Sequence, residues 1–184
     1  LGGGTAMMLQ IDHRESHDLD IFLPDAQLLP FLDPQKRDFD FGVLASEDKG
    51  DGTKFLKLAF EIGEIDFIVG NALTSSPTTQ MTVEGETVLL EKIPEIIAKK
   101  IYHRGSNIMP RDIFDIAAGS GEYAEAIIRE LRAYRDAVAK TLTAMDRQNP
   151  DFVSAAIAQL SIKDAYSAVA RTAFEKTKEL LRAV

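Results

Sequence analysis

The chain has 184 residues, 45% of them hydrophobic and 27% charged, and such values are typical of a folded globular protein. Its net charge of -8 argues against broad electrostatic binding to nucleic acid or to an anionic membrane surface. The absence of cysteine excludes disulfides and thiolate metal sites and favours a cytoplasmic location.

The apolar runs are all shorter than the roughly 20 residues of a membrane-spanning helix, so we expect no membrane partner. The chain begins at Leu1, directly before three glycines and without a methionine. We therefore expect a further segment upstream of Leu1.

Short strands and turns are predicted for residues 1–92, a region that we interpret as a sheet core. Residues 6–10 follow glycines and lack a strand pattern, which favours a short helix. Compact apolar runs predict strands at 19–23, 39–44, 55–62 and 64–69, and capped helical turns at 25–32. Glycines predict turns at 49–52 and at residue 63, and a hairpin at 81–90 that turns at 84–86.

Helices are predicted for nearly all of residues 93–184, which we interpret as a helical region completing the cleft. The first helix covers residues 95–102, and the second covers 112–118 before Gly119-Ser120-Gly121 ends it. A longer helix then carries an apolar stripe from Ile127 to Leu142 and is broken at residues 149–150. A last helix carries a stripe from Tyr166 to Leu181, and these stripes favour packing over any cofactor role.

Three glycines and a threonine are followed, after twelve intervening residues, by Asp18-Leu19-Asp20. Side chains alternate along a strand, so Asp18 and Asp20 point the same way, and two adjacent carboxylates favour a hard divalent cation between them. Glycines at the start of a helix let backbone amides approach an anion, and the Thr5 hydroxyl can add a donor. An isolated pair of this kind is often a solvated strand edge, and a glycine cluster is often only a loop. Their joint spacing favours a site for a triphosphate and its metal.

Asp66 is a third candidate carboxylate because it lies inside an otherwise apolar strand, where an unpaired charge is costly. One alternative is that Asp66 lies at an exposed strand end. Another is that Glu64, two positions away on the same face, takes this role.

A basic cluster follows at residues 99–104. On a helix, Lys100 faces Arg104 at i+4, which is unfavourable unless an anion neutralises them, so both are candidates for binding phosphate. Arg111 can reach Asp115 at the same spacing. The alternative is a solvated basic face held by Asp112 and Asp115.

Other known catalytic patterns are absent from the sequence: a Walker motif, a nucleophile elbow, and a histidine spacing suited to zinc. His17 stands beside Asp18 and is expected to be oriented by it. Arg14 and Ser16 either orient the acidic pair or contact phosphate, and the sequence leaves both roles open.

The residues from Leu1 to Ala6 and from His13 to Phe22 resemble the opening motif of the AbiEii-type nucleotidyltransferases, toxins of type IV toxin–antitoxin systems. The stretch 98–115 resembles the second motif of that family. The resemblance implies an α+β fold like DNA polymerase β, a mixed sheet flanked by helices with a helical C-terminal region. It implies metal ligation by Asp18, Asp20 and Asp66, phosphate contacts from Gly4 and Thr5, and matches for Lys100, Arg111 and Asp112. Asp12 departs from the family, which commonly has glycine there, and an extra acid could disturb triphosphate binding.

The resemblance implies transfer of a nucleotide from an NTP, with two Mg²⁺ ions, to an RNA 3′ end such as that of tRNA, or to a protein hydroxyl. Lys100 and Arg104 would offset the charge on the β- and γ-phosphates. A cognate antitoxin is the expected protein partner. Two alternatives remain at this point: a degenerate module that only binds a partner, and a housekeeping nucleotidyltransferase unrelated to toxicity.

Overall fold

The computed structural model describes residues 1–34, 36, 47–51 and 53–184. Helices span α1 (Gly3–Ile11), α2 (Leu29–Leu32), α3 (Ile93–Arg104), α4 (Pro110–Leu131), α5 (Arg135–Asp146), α6 (Pro150–Ile157) and α7 (Ser167–Arg182). Strands span β1 (Leu19–Leu23), β2 (Glu47–Gly50), β3 (Phe55–Phe60), β4 (Gly63–Val69), β5 (Thr78–Val83) and β6 (Glu86–Glu91). The strand predicted at residues 39–44 lies outside the described residues.

Four of the described strands form one mixed sheet in the order β1-β4-β3-β2. β1 and β4 are parallel, whereas β3 is antiparallel to both β4 and β2. The sheet and the helices that follow it confirm the predicted fold class. The turn predicted at 49–52 begins later than expected, because Lys49 and Gly50 still belong to β2, and the Asp51 carboxylate caps the backbone N–H groups that follow.

β5 and β6 form a separate hairpin, as predicted for residues 81–90. The turn is at Glu84 and Gly85, whose φ angles are 49° and 87°. Two successive residues with positive φ match the right-handed twist of the flanking strands, which explains a glycine at this turn.

The four-stranded sheet has one apolar and one polar face, because side chains alternate along each strand. Leu56, Leu58 and Phe67 pack on Leu29 of α2 in a small core. The side chains between them in sequence, including Lys57 and Asp66, line a cavity on the other face. This alternation places the charged residues of the sheet together.

The main core lies among the helices, with α4 packed against both α3 and α7. The prediction that residues 119–121 end a helix is wrong, because α4 continues to Leu131. A Cβ on Gly119 would lie 2.8 Å from Ile97 and 2.9 Å from Ile93, so this glycine permits the close approach of α3. The longer helix predicted for residues 127–142 is instead divided at Arg132–Tyr134.

Asp12 ends α1 with φ 45° and ψ 46°, a left-handed conformation that favours glycine and that aspartate tolerates better than most residues. Glycine would meet this backbone requirement without strain. The cavity is lined by other residues, so Asp12 does not intrude on it. None of the helices in the described part of the chain has the length and apolar character needed to cross a membrane.

Candidate active site

A cavity of about 760 Å³ lies between the polar face of the sheet and α3. Most of the residues that the sequence singled out line it: Gly4, Asp18, Asp20, Asp66, Lys100, Arg104 and Arg111. We call Asp18, Asp20 and Asp66 the acidic wall, and Lys100, Arg104 and Arg111 the basic wall. The structure thus brings together residues that lie up to 107 positions apart in the chain, from Gly4 to Arg111.

The acidic wall is built by strand register. Asp20 in β1 and Asp66 in β4 are direct partners across the parallel pair, so their side chains lie on the same face. Burial and the nearby charge of Asp66 raise the pKa of Asp20, while Lys100 and Arg104 act to lower it. Asp66 Oδ1 is buried without a hydrogen-bond partner. Two acidic side chains therefore face each other with incomplete compensation.

Asp18 lies just before β1 and is exposed. Its Oδ1 accepts a hydrogen bond of 3.3 Å from the backbone N–H of Glu64. The Thr5 hydroxyl contacts the Ser16 hydroxyl at 3.0 Å and the backbone carbonyl oxygen of Asp18. Thr5 does not line the cavity itself, and it fastens the segment that carries Asp18 to helix α1.

The glycines at the start of α1 permit a close approach to the acidic wall. Gly3 has a φ of 64°, and a Cβ there would lie 1.7 Å from Asp20 Oδ2. A Cβ on Gly4 would lie 2.6 Å from an Arg14 nitrogen and 3.0 Å from Ser16 Oγ. A larger residue at either position would displace a charged or polar side chain of the site.

Two members of the basic wall, Lys100 and Arg104, are paired with carboxylates of the chain. Lys100 is only 5% exposed, and its Nζ lies 2.6 Å from Asp112 Oδ1 and 2.9 Å from Asp115 Oδ2. Arg104 reaches Asp112 Oδ1 at 3.2 Å, and its side chain is 46% exposed. The carboxylate of Asp112 thus relieves the i+4 repulsion for which the sequence required an anion. The alternative of a solvated face held by Asp112 and Asp115 is wrong about the solvation of Lys100, which is buried, and right about its two carboxylate partners.

Asp115 is fully buried and collects three cationic or polar partners. Its Oδ1 lies 2.9 Å from His13 Nε2 and 2.8 Å from Arg14 Nε, and a second Arg14 nitrogen donates to Oδ2 at 3.0 Å. Burial alone would raise the pKa of Asp115, but Lys100, His13 and Arg14 hold it well below its usual range.

These contacts give the partners of Arg14 and Ser16, two cavity residues whose roles the sequence left open. Arg14 binds Asp115, while Ser16 bonds to Thr5. The expected pairing of Arg111 with Asp115 is wrong, because Arg14, His13 and Lys100 occupy that carboxylate. Arg111 is exposed at the cavity and makes no ion pair among the described residues.

Comparison with protein families gives a match over residues 1–182 to the model of the nucleotidyl transferase AbiEii toxin of type IV toxin–antitoxin systems. The chain belongs to the AbiEii family. It is therefore a nucleotidyltransferase toxin, and this class of system implies a cognate antitoxin as partner. Searches among curated proteins and among solved structures gave no match.

The AbiEii cavity also contains charged residues that the sequence analysis missed. Lys57 lies opposite Asp66 in register, and its Nζ is 3.2 Å from Asp66 Oδ2. Glu91 and Lys99 form a buried pair, with Lys99 Nζ 3.4 Å from the centre of the Phe22 ring. Lys57 gave the same signal as Asp66, a lone charge in an apolar strand. The Glu91–Lys99 pair joins β6 to α3, and no local sequence pattern indicates that these two residues form a pair.

Whether the acidic wall suits a divalent cation can be judged from its donor atoms. Carboxylate oxygens are the ligands that Mg²⁺ prefers, and Asp66 Oδ1 is buried and unpaired. Within the described ranges, no three carboxylate or imidazole groups are arranged as a ready-made cation site. The oxygens of Asp20 and Asp66 therefore fit a cation that brings further ligands of its own, such as triphosphate oxygens.

Proposed function

We propose that the cavity binds an NTP with divalent metal between the acidic and basic walls, and that the enzyme transfers the nucleotide to an acceptor hydroxyl. One observation carries this proposal. Asp20 and Asp66 are register partners on the face of the sheet that lines the same cavity as Lys100. The acceptor oxygen would form a bond to the α-phosphorus while the bond to pyrophosphate breaks. The acceptor proton would pass to a carboxylate, for which Asp66 is our candidate.

In this proposal Asp18, Asp20 and Asp66 hold two Mg²⁺ ions. When bound, the cations would supply positive charge to the oxygens of the triphosphate and acceptor. The residues of the chain would orient these groups. Asp66 is favoured over Glu64 as the third ligand because Asp66 is the register partner of Asp20 and keeps one buried oxygen unpaired.

The basic wall would receive the phosphates. Asp112 and Asp115 hold the Lys100 ammonium in place, and Arg104 and Arg111 have exposed side chains at the cavity. Donors fixed before the substrate arrives need no reorganisation during the reaction, which is the main source of electrostatic catalysis. Gly4 at the start of α1 would bring its backbone N–H group to the triphosphate, whereas Thr5, which does not line the cavity, would hold the segment that carries Asp18.

In the same proposal residues 1–92 supply the acidic wall and residues 93–184 the basic wall. The acceptor would be an RNA 3′ end, with tRNA as the first candidate, or a protein hydroxyl. This part of the proposal depends on family membership and not on the composition of the chain.

The test is incubation of the full chain with each α-labelled NTP, Mg²⁺, and either total RNA or a protein lysate. We expect label in one class of acceptor with wild type and none with Asp20→Asn. Asp136→Asn on α5 is the matched control, because Asp136 is exposed and does not line the cavity, and it should label as wild type does. Equal labelling by wild type and Asp20→Asn would contradict the role of Asp20 in catalysis, whereas no labelling with any NTP would favour the degenerate partner-binding module.

A further inference from the structure

Lys57 places a positive charge directly against the acidic wall. It is the register partner of Asp66, and its Nζ lies 3.2 Å from Asp66 Oδ2. The unpaired oxygen of the same carboxylate, Oδ1, is the one we assign to the cation. An ammonium group at hydrogen-bond distance from one oxygen of a carboxylate repels a divalent cation at the other.

Lys57 also has a second acidic partner. Its Nζ donates a hydrogen bond to Glu64 Oε2, and this bond is the main reason that the pKa of Lys57 is raised. Glu64 lies two residues before Asp66 on the same face, and its side chain is 42% exposed. The ammonium group can therefore leave Asp66 and remain paired, because it already bonds to Glu64 on the same face of the sheet.

We infer that Lys57 competes with the divalent cation for Asp66, and that Glu64 is the partner to which Lys57 withdraws when the cation binds. This inference rests on the proposed function, since it requires a cation at Asp20 and Asp66. It gives Lys57 the role of a positioning residue. Lys57 keeps the affinity of the free enzyme for bare cation low, so that the cation enters together with the triphosphate.

The experiment is a titration of the full chain with Mn²⁺, followed by electron paramagnetic resonance of the free ion. Lys57→Met removes the competing charge and should tighten Mn²⁺ binding by roughly three- to tenfold. Glu64→Gln removes the second partner and leaves Lys57 with Asp66 alone, so it should weaken binding. In the double variant the effect of Glu64→Gln should disappear, because there is no ammonium group left to withdraw.

Lys54→Met is the matched control, because Lys54 also lines the cavity but forms no ion pair among the described residues. It should change Mn²⁺ affinity by less than about twofold. Circular dichroism on each variant identifies a loss of fold, and Glu64→Gln supplies a test that does not depend on the folding of Lys57→Met.

The outcomes separate this inference from the proposed function. Mn²⁺ binding that requires Asp20 but is unchanged by Lys57→Met overturns the inference alone. Equal tightening by Lys54→Met also overturns it, because the effect would then come from net charge. Absence of binding in both wild type and Lys57→Met, or binding that survives Asp20→Asn, overturns the proposed cation site and the inference with it.

Discussion

The acidic and basic walls of the cleft carry opposite charges, and they differ in how fully those charges are paired. Lys100 in the basic wall has two carboxylate partners within 3 Å, and both partners are buried. In the acidic wall, burial and Asp66 raise the pKa of Asp20, and Asp66 Oδ1 has no partner. Lys100 and Arg104 are thus paired within the chain, whereas the acidic wall keeps a buried oxygen without a partner, which our proposal assigns to a cation.

This difference predicts opposite effects of mutation. Removing one member of a buried and completed ion pair leaves an uncompensated charge and is strongly destabilising. Removing one of two repelling carboxylates relieves a cost and can stabilise the protein, while the ligand that needed it is lost. The first class of residue supports the fold and the site together, and the second class supports only the site.

The largest effect is expected for Asp115→Asn, which removes the charge shared by Arg14, His13 and Lys100. The free energy of unfolding at pH 7 should fall by about 3–5 kcal/mol. Because the pKa of Asp115 is held below its usual range, its contribution is complete above the unfolded-state pKa of about 4 and declines progressively as the pH falls from there toward the lower folded-state pKa. Urea unfolding of both proteins at pH 7 and near pH 3 measures this, and a difference that does not shrink in acid would contradict the pairing.

Lys100→Ala should cost about 2–4 kcal/mol of stability, because Asp112 and Asp115 lose a buried cation but keep Arg104 and Arg14 respectively. If the i+4 repulsion between Lys100 and Arg104 were the main interaction, the same substitution would cost almost no stability. Arg111→Ala is the control, and its stability should change by less than about 0.5 kcal/mol. Thermal or urea unfolding of both variants measures these changes in stability. If Lys100→Ala is as stable as wild type, the carboxylates of Asp112 and Asp115 do not hold the basic wall.

A smaller effect of opposite sign is expected for Asp20→Asn without ligand. Like charges on neighbouring strands are destabilising, so the free energy of unfolding at neutral pH should rise by roughly 0.2–1 kcal/mol. Asp18→Asn is the comparison, because Asp18 is exposed and its charge is better screened, and its gain should be smaller. A loss of stability on Asp20→Asn would mean that this carboxylate is already compensated.

The cavity residues that could be predicted are those that a local sequence pattern indicates. Asp18 and Asp20 stand two residues apart, Asp66 interrupts an apolar strand, and all three line the cavity. The partners of Asp115 could not be found in this way, since Arg14 lies 101 residues away and is brought close only by packing of α4. Without that contact, the spacing of Arg111 and Asp115 suggested a local pair that does not form.

The helix boundaries show the same limit. Glycines at 119 and 121 predict the end of a helix from intrinsic propensity, and that prediction failed because Gly119 is needed for contact with Ile97 and Ile93. Asn149-Pro150 did mark a boundary, because the Asn149 side chain caps α6 and Pro150 begins it. Local chemistry decided the second case, and tertiary packing decided the first.

The proposed cation and triphosphate site at the acidic wall is tested most directly by thermal melting. Wild type and Asp20→Asn are each melted with and without saturating Mg-NTP. Ligand at about 100 times its Kd adds about 2.7 kcal/mol to the free energy of unfolding. This gain should raise the Tm of wild type by roughly 5–10 °C. Asp20→Asn should melt slightly above wild type without ligand and show no rise with it. No rise in wild type, or an equal rise in both proteins, would contradict the claim that the acidic wall is a cation and triphosphate site.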